Sequence, residues 1–167
     1  MASYAIFTHP DRCISCHACE MACNQKHDLP EGVSLGKIVV LGPELVNGAA
    51  KMKCLYLPCF QCEDAWCIKA CPADAIRKRE SDSVIYILEE LCFGCQACIQ
   101  ACPWQIPQWN EKTGLMMKCD LCLDRLDTDQ EPLCVTNCPT GALEFGKPVD
   151  MSNKTKESYG LSLLKQT

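Results

Sequence analysis

Four dense groups of cysteines dominate the chemistry that this sequence could perform. The first group reads CISCHACEMAC over Cys13–Cys23, with the spacing C-x2-C-x2-C-x3-C. Thiolates at such spacings can form disulfides, bind zinc or bind iron–sulfur clusters. Sixteen of the 17 cysteines fall into the groups, and Cys54 is left over. The grouped cysteines are Cys13, Cys16, Cys19 and Cys23; Cys59, Cys62, Cys67 and Cys71; Cys92, Cys95, Cys98 and Cys102; and Cys119, Cys122, Cys134 and Cys138.

The cysteines are expected to be reduced rather than paired in disulfides. An odd number of cysteines fits a disulfide framework poorly. The opening MASYAIFTHPDRC has neither the charge and apolar pattern of a secretory signal nor a twin-arginine pair. No apolar run of roughly 18 residues suggests a membrane-spanning helix. We therefore predict a cytoplasmic protein without a membrane span of its own, although export together with a partner is also compatible with the sequence.

The spacing within the groups favours iron–sulfur clusters over zinc. Cysteines at i, i+3 and i+6 of a loop can converge on one face of a cubane, while backbone N–H groups point at its sulfides. The fourth cysteine, on a short helix, then points to a neighbouring cluster, as in the C-x2-C-x2-C-x3-C-P pattern of two-cluster ferredoxins. Zinc ribbons instead use two separated C-x2-C pairs. Only the fourth group, CDLC followed by CVTNC, would fit zinc, and zinc at that group is the alternative.

At this point the motifs resemble a known family. The stretches DRCISCHACEMAC, CFQCEDAWCIKACP, CFGCQACIQACP and KCDLCLDR followed by CVTNCPTGAL span Asp11–Leu143. They are similar to the four-cluster ferredoxin-type electron-transfer subunits of molybdenum and tungsten oxidoreductases. Members include the small subunits of formate dehydrogenases, dimethyl sulfoxide and polysulfide reductases and tungsten aldehyde oxidoreductases.

This resemblance implies four [4Fe–4S] clusters and a pairing of the cysteine groups, the first with the fourth and the second with the third. The implied ligand sets are Cys13, Cys16, Cys19 and Cys138 for cluster 1; Cys23, Cys119, Cys122 and Cys134 for cluster 2; Cys59, Cys62, Cys67 and Cys102 for cluster 3; and Cys71, Cys92, Cys95 and Cys98 for cluster 4. The clusters would form one file in that order, with cluster 1 nearest the catalytic subunit. Cys54 would not be a ligand.

The expected fold is α+β, with short helices and small antiparallel strands. The second and third groups are contiguous, so they form one two-cluster ferredoxin-like module, and it is inserted into a second, pseudo-symmetric module. The predicted ranges are 1–53 and 108–150 for the outer module, 54–107 for the inner module and 151–167 for a C-terminal tail. The predicted strand pairs are Tyr4–Phe7 with Ala142–Phe145 and Ala75–Arg77 with Ser83–Leu88.

The sequence predicts an electron relay rather than an enzyme acting alone. It has a formal net charge of −5 and no basic patch for nucleic acid. It also lacks a dinucleotide-binding or Walker motif. The expected partner is a tungsten- or molybdenum-pterin catalytic subunit, with an aldehyde oxidoreductase first, a formate dehydrogenase second and a respiratory reductase third. A flavin subunit, a ferredoxin or another redox subunit would exchange the electrons. A free polyferredoxin and a cluster-storing scaffold are the alternatives.

Several other residues carry expectations of their own. Met52, Cys54 and Tyr56 alternate as on a half-buried strand, so Cys54 is predicted to be a buried apolar thiol. The three tryptophans are expected to shield clusters from water. Gln61 stands where many relatives have histidine, a change that could shift a local potential. The tail from Met151 is either frayed or an arm that docks on a partner.

Overall fold

The computed structural model describes residues 4–164, so residues 1–3 of the predicted outer module and 165–167 of the predicted tail lie outside the described residues. Short helices and strands alternate with loops that carry the cysteines. In sequence order the elements are β1 (Ala5–Thr8), α1 (Ala18–His27), β2 (Lys37–Val46), β3 (Ala49–Leu57), α2 (Trp66–Lys69), β4 (Ile76–Lys78), β5 (Ile85–Ile87), α3 (Ala97–Ala101), β6 (Gln108–Asn110), β7 (Leu115–Met117), α4 (Leu123–Leu126), α5 (Leu133–Thr136), β8 (Leu143–Gly146) and α6 (Pro148–Leu164).

The two strand pairs predicted from the sequence are present with slightly different bounds. β1 pairs antiparallel with β8, and β4 pairs antiparallel with β5. The predicted strands began at Ala75 and Ala142, but β4 and β8 each begin one residue later. The N–H groups of Ala75 and Ala142 donate instead to the sulfurs of Cys71 and Cys138. The ends of these strands are therefore set by the cysteines that precede them.

β5 is shorter than the predicted strand Ser83–Leu88. Ser83 has a φ of 64°, and its N–H donates to the carbonyl of Arg79 at 2.8 Å. Such a backbone closes a turn rather than continuing a strand. The prediction is wrong at this end because the turn between β4 and β5 reaches as far as Ser83.

β2 and β3 pair antiparallel as a long two-stranded ribbon. Near the core its side chains are buried at Ile38, Cys54 and Tyr56, whereas residues 40–53 are exposed. The predicted alternation is therefore correct for Cys54 and Tyr56 and wrong for Met52, which is 61% exposed. At Met52 the strand β3 no longer packs against the core, so the alternation of side chains there does not indicate burial.

The apolar core is divided into small clusters, and each contains grouped cysteines. Their buried members are Cys19, Ile38, Cys54, Tyr56, Cys134 and Leu143 in the first; Ala65, Ile76, Ile85, Cys98 and Met116 in the second; and Cys23, Leu29 and Leu35 in the third. Cysteines thus occupy positions that aliphatic side chains fill in most small domains.

The tail is helical over its described part. α6 covers Pro148–Leu164, so the frayed alternative is wrong there. Met151 is buried, and it packs so closely that a Cβ added at Gly146 would lie 2.7 Å from its Cε. The predicted module limits at 53/54 and 150/151 fall inside β3 and α6. Within residues 4–164, no helix has the length and apolar character needed to cross a membrane.

Candidate metal centres

Equivalent positions of the cysteine loops share a left-handed backbone. Residues other than glycine rarely adopt a positive φ, because their Cβ crowds the backbone. Here they recur at matching places relative to the cysteines. The matched pairs are Ser15 and Gly94, His17 and Gln96, Gln61 and Leu121, and Asp74 and Gly141. Turns of this kind direct successive N–H groups towards a common point, which suits an anionic group.

Two cysteines accept backbone hydrogen bonds in the same geometry. Ala75 N donates to Cys71 Sγ at 3.3 Å, and Ala142 N donates to Cys138 Sγ at 3.2 Å. Burial raises the pKa of the Cys138 thiol, but hydrogen bonds from the Thr140 hydroxyl and from backbone N–H groups outweigh burial and lower it overall. These contacts stabilise a thiolate, which is the form that binds metal.

Cys23, Cys119, Cys122 and Cys134 lie close together although they come from opposite ends of the sequence. Burial raises the pKa of Cys23, and the nearby charges of Cys119 and Cys122 raise it further. Burial also raises the pKa of Cys134, with further contributions from Cys119, Cys122 and Cys23. The sulfurs of these cysteines therefore lie near enough to one another for their charges to interact. A cationic iron core would relieve it.

A second set of four cysteines lines one largely apolar cavity. These are Cys59, Cys62, Cys67 and Cys102, and Lys118 lies in the same wall. The aromatic side chains of Phe60, Trp66 and Trp104 complete the lining. Their rings are near one another, with centroids 5.0 Å apart for Phe60 and Trp104 and 6.1 Å apart for Trp66 and Trp104.

The remaining eight predicted ligands fall in two further neighbourhoods. Cys71 and Cys92 pack against the core cluster that contains Cys98. Burial raises the pKa of Cys98 to about 11, with further contributions from the charges of Cys67, Cys95 and Cys92. In the other neighbourhood, Cys13 and Cys138 pack against the core cluster that contains Cys19, while Cys16 is exposed.

A buried polar junction lies between the cavity and the loop of Cys119. Gln61 donates to Cys119 O at 3.1 Å and accepts from Ile85 N at 2.7 Å. Lys118 Nζ donates to Cys119 O at 2.7 Å and to Ile85 O. The sequence singled out Gln61 only as an unusual residue and missed Lys118. The usable signal was a lysine immediately before a cysteine and after three apolar residues in LMMKC.

Tyr56 is a second polar contact that the sequence missed. It is 3% exposed and packs in the core cluster that contains Cys19 and Cys134. The Tyr56 hydroxyl acts to lower the pKa of the Cys134 thiol, which burial raises overall. It also lies against Gly36, where an added Cβ would come within 2.3 Å of the hydroxyl oxygen. Gly36 therefore leaves the space that lets the ring reach the cysteines.

The cysteine arrangement does not match a single-ion site. A tetrahedral zinc with four thiolates would place the sulfurs about 3.8 Å from one another. Among residues 4–164, no three or more His, Cys, Asp or Glu side chains gather closely enough to hold one ion. A cubane holds its four cysteines further apart, at separate iron corners. The cysteine neighbourhoods and their N–H donors fit iron–sulfur clusters.

Known proteins share these cysteine motifs. The family model described as a 4Fe-4S dicluster domain matches residues 50–148, and that of a 4Fe-4S binding domain matches residues 10–26. One polypeptide of the anaerobic dimethyl sulfoxide reductase of Escherichia coli (strain K12) is 39% identical over 158 residues, covering 90% of this sequence and 76% of that protein.

Two further relatives carry different names. The thiosulfate reductase electron transfer subunit of Salmonella typhi is 36% identical over 146 residues, covering 86% of this sequence and 76% of that protein. The formate dehydrogenase-O iron-sulfur subunit of Escherichia coli (strain K12) is 34% identical over 160 residues, covering 87% of this sequence and 53% of that protein.

Proposed function

This protein belongs to the 4Fe-4S dicluster domain family, and from that premise we propose that it relays single electrons within an oxidoreductase complex. It binds several [4Fe–4S] clusters. We propose four clusters, held by the sixteen grouped cysteines in the sets implied by the sequence. The observation that carries this proposal is the gathering of Cys23 with Cys119, Cys122 and Cys134, since a shared cluster explains why thiols from both ends of the sequence meet.

The proposed arrangement is two ferredoxin-like modules, one inserted into the other. The matching left-handed turns support it, as do the paired strands β1–β8 and β4–β5. One strand of each pair, β4 or β8, follows a Cys-Pro step whose cysteine accepts an N–H···S hydrogen bond. Two related modules would place four clusters in one file.

When bound, each cluster accepts and releases one electron without a proton. The protein residues then have three tasks. The grouped thiolates hold the iron, and N–H donors such as Ala75 and Ala142 stabilise the sulfur charge. The aromatic side chains of the cavity, although 44–49% exposed themselves, would cover one side of Cys59 and its neighbours. Since these tasks include no bond making in a substrate, we propose that catalysis belongs to a partner subunit.

The proposed partner is a molybdenum- or tungsten-pterin catalytic subunit. The names of the three relatives favour a reductase of dimethyl sulfoxide or thiosulfate type, or a formate dehydrogenase. None of those three is an aldehyde oxidoreductase subunit, so the tungsten aldehyde oxidoreductase interpretation rests on the motif resemblance alone. Metal analysis of the co-purifying large subunit separates the two metals. A cytoplasmic location stays a prediction.

The deciding experiment is anaerobic purification of the native complex. We expect about 16 irons and as many acid-labile sulfides for each copy of this protein. Size-exclusion chromatography with mass spectrometry should find a large catalytic subunit in the same peak. A fully loaded sample with about 12 irons or fewer would refute four cubanes. A protein that elutes alone would refute the subunit proposal and favour a free polyferredoxin.

The C-terminal helix is the proposed docking arm. Most of α6 is exposed, including Val149 and Leu161, while Met151 anchors its first turn. Deleting residues 152–167 leaves this anchor in place. We expect the shortened protein to keep its iron and to co-purify less with the catalytic subunit. Unchanged co-purification would remove α6 from the interface.

A further inference from the structure

Lys118 is a buried cation whose hydrogen-bond acceptors are neutral. Its residue is 6% exposed, and its Nζ donates to the carbonyls of Ile85 and Cys119. None of the ion pairs among the described residues includes it. Neutral carbonyls satisfy the N–H donors of an ammonium but do not neutralise its charge. Because a buried charge is costly unless it is paired, an anion is expected close by.

The groups around Lys118 supply that anion. Lys118 lines the same cavity as Cys59, Cys62, Cys67 and Cys102. The next residue in the sequence is Cys119, which lies near Cys23 and Cys134 on one side and near Cys59 on the other. The ammonium therefore lies between the ligands of proposed cluster 3 and those of proposed cluster 2.

The position of this charge is held rigidly. Cys119 O accepts hydrogen bonds from both Lys118 and Gln61, and the backbone of Ile85 binds both side chains. Gln61 is itself only 3% exposed. A charge held by two buried carbonyls and a neighbouring amide cannot swing out to solvent, so it acts on both sets of ligands at a constant distance.

We propose that Lys118 is a fixed positive charge shared by clusters 2 and 3, which raises the reduction potential of both. This inference rests on the proposed function. Reduction adds one electron and therefore one negative charge to a cluster, and a nearby cation stabilises the reduced form. An electron that moves between the two clusters stays near the same ammonium. The shared charge therefore makes clusters 2 and 3 easier to reduce without opposing electron transfer between them.

The test compares Lys118→Met, Lys118→Arg and Lys112→Met in the purified holo-complex. A reductive titration followed by electron paramagnetic resonance reports each cluster. In K118M we expect the reduction potentials of two of the four clusters to fall by at least about 59 mV, which is a tenfold change in the equilibrium constant for one-electron reduction. The other two couples should not move. K118R should restore the wild-type values, and K112M should match wild type, because Lys112 is exposed on the β6–β7 turn.

Three outcomes would overturn the proposal. These are unmoved couples in a K118M sample with full iron content, an equal shift of all four couples, and failure of K118R to restore the values. If K118M does not retain its iron, Gln61→Glu provides the same readout, because a carboxylate beside Lys118 should lower the same two couples; two unmoved couples there would also overturn the proposal. A wild-type sample without four clusters would refute the proposed function instead, so the two failures are distinguishable.

Discussion

The inner half of the molecule, residues 54–107, and the outer half, residues 4–53 with 108–150, close similar cysteine loops over different lengths of sequence. In the inner half, β4 and β5 are neighbours in sequence and need only a short turn. In the outer half, β1 must pair with β8, far along the sequence. Loop closure costs more entropy as the loop grows, although slowly. The outer half therefore depends more on long-range contacts, which its proposed metal centres would reinforce.

The halves also differ in what surrounds equivalent loops. Gly94, with a φ of +70°, packs so closely that an added Cβ would lie 2.2 Å from Gly114 O and 2.5 Å from the Trp109 ring. The equivalent Ser15, with a φ of 54°, carries a side chain. The β6–β7 hairpin thus presses on the inner loop, while the matching outer loop has room. The two loops have related backbones but differ in whether they can accommodate a side chain, because different residues pack against them.

The largest expected effect is the loss of a whole cluster that joins distant parts of the sequence. Cys23→Ser should remove about 4 of about 16 irons, and the lost signal should be that of proposed cluster 2. Cys54→Ser is the matched control, because Cys54 is also buried but belongs to none of the groups. Iron and sulfide analysis with electron paramagnetic resonance measures both. Loss of cluster 1 alone in C23S would contradict the proposed pairing.

A methyl group at the crowded inner loop should have the next largest effect. Gly94→Ala should destabilise the protein by about 2–4 kcal/mol, because the clash is with backbone and a packed ring at a positive φ. Ser15→Ala should change the stability by less than about 0.5 kcal/mol. Denaturant unfolding of both variants tests the difference between the halves. Equal destabilisation would show that the two loops are equally constrained.

Acid should weaken an ion pair at the edge of the inner half. Burial raises the pKa of Asp82, but hydrogen bonds from Arg79 and Val84 N–H outweigh burial and lower it overall. The carboxylate therefore stabilises the fold above its ordinary pKa, and this contribution is lost as the pH falls through the lowered value. Asp82→Asn should cost about 1–3 kcal/mol near neutral pH. The difference in free energy of unfolding between D82N and the wild type should decrease below about pH 4.

The control for this prediction is Asp127→Asn. Asp127 also pairs with Arg79, across the two halves, but its side chain is 58% exposed. An exposed ion pair contributes about 0–1 kcal/mol, so D127N should change the stability little. Urea unfolding at several pH values measures both variants. The stabilising role of the Asp82 carboxylate would be contradicted if the stability difference between D82N and wild type stayed constant down to about pH 3. An equal loss of stability in D127N would contradict it as well.

The smallest expected effect concerns the hydroxyl of Tyr56 in the outer half. Tyr56→Phe removes the hydroxyl that acts to lower the pKa of Cys134. The loss of one hydrogen bond of about 1 kcal/mol corresponds to a change of roughly 40 mV in reduction potential. The reduction potential of proposed cluster 2 should therefore fall by that amount. Tyr86→Phe, on β5 of the inner half, is the control and should leave all couples unchanged. A shift of several couples in Y56F would indicate a packing defect.

Much of the metal chemistry could be predicted from the sequence because the spacing of ligands is a local property. CISCHACEMAC and CFGCQACIQACP already specify cysteine loops that lead into short helices. The prediction that only the fourth cysteine lies on the helix is wrong, because Cys19 and Cys98 already lie on α1 and α3, and Cys102 follows α3. The family comparison confirms that the protein binds [4Fe–4S] clusters. The short strands around Ile6 and Ile76 were also predictable, because short apolar segments next to the cysteine loops bury their side chains by packing against those loops.

The surroundings of the sulfurs could not be predicted, because they depend on which distant residues meet. Lys118 looks like an ordinary polar residue in the sequence, and the alternation around Tyr56 predicted its burial but not its neighbours. Only the tertiary structure places both residues beside cysteines of two groups. Met52 shows the converse, since its strand pattern predicted burial and the projecting ribbon exposes it. Sequence spacing determined which atoms can bind iron, whereas packing decided which charges and hydrogen bonds surround them, because burial is a property of the whole fold.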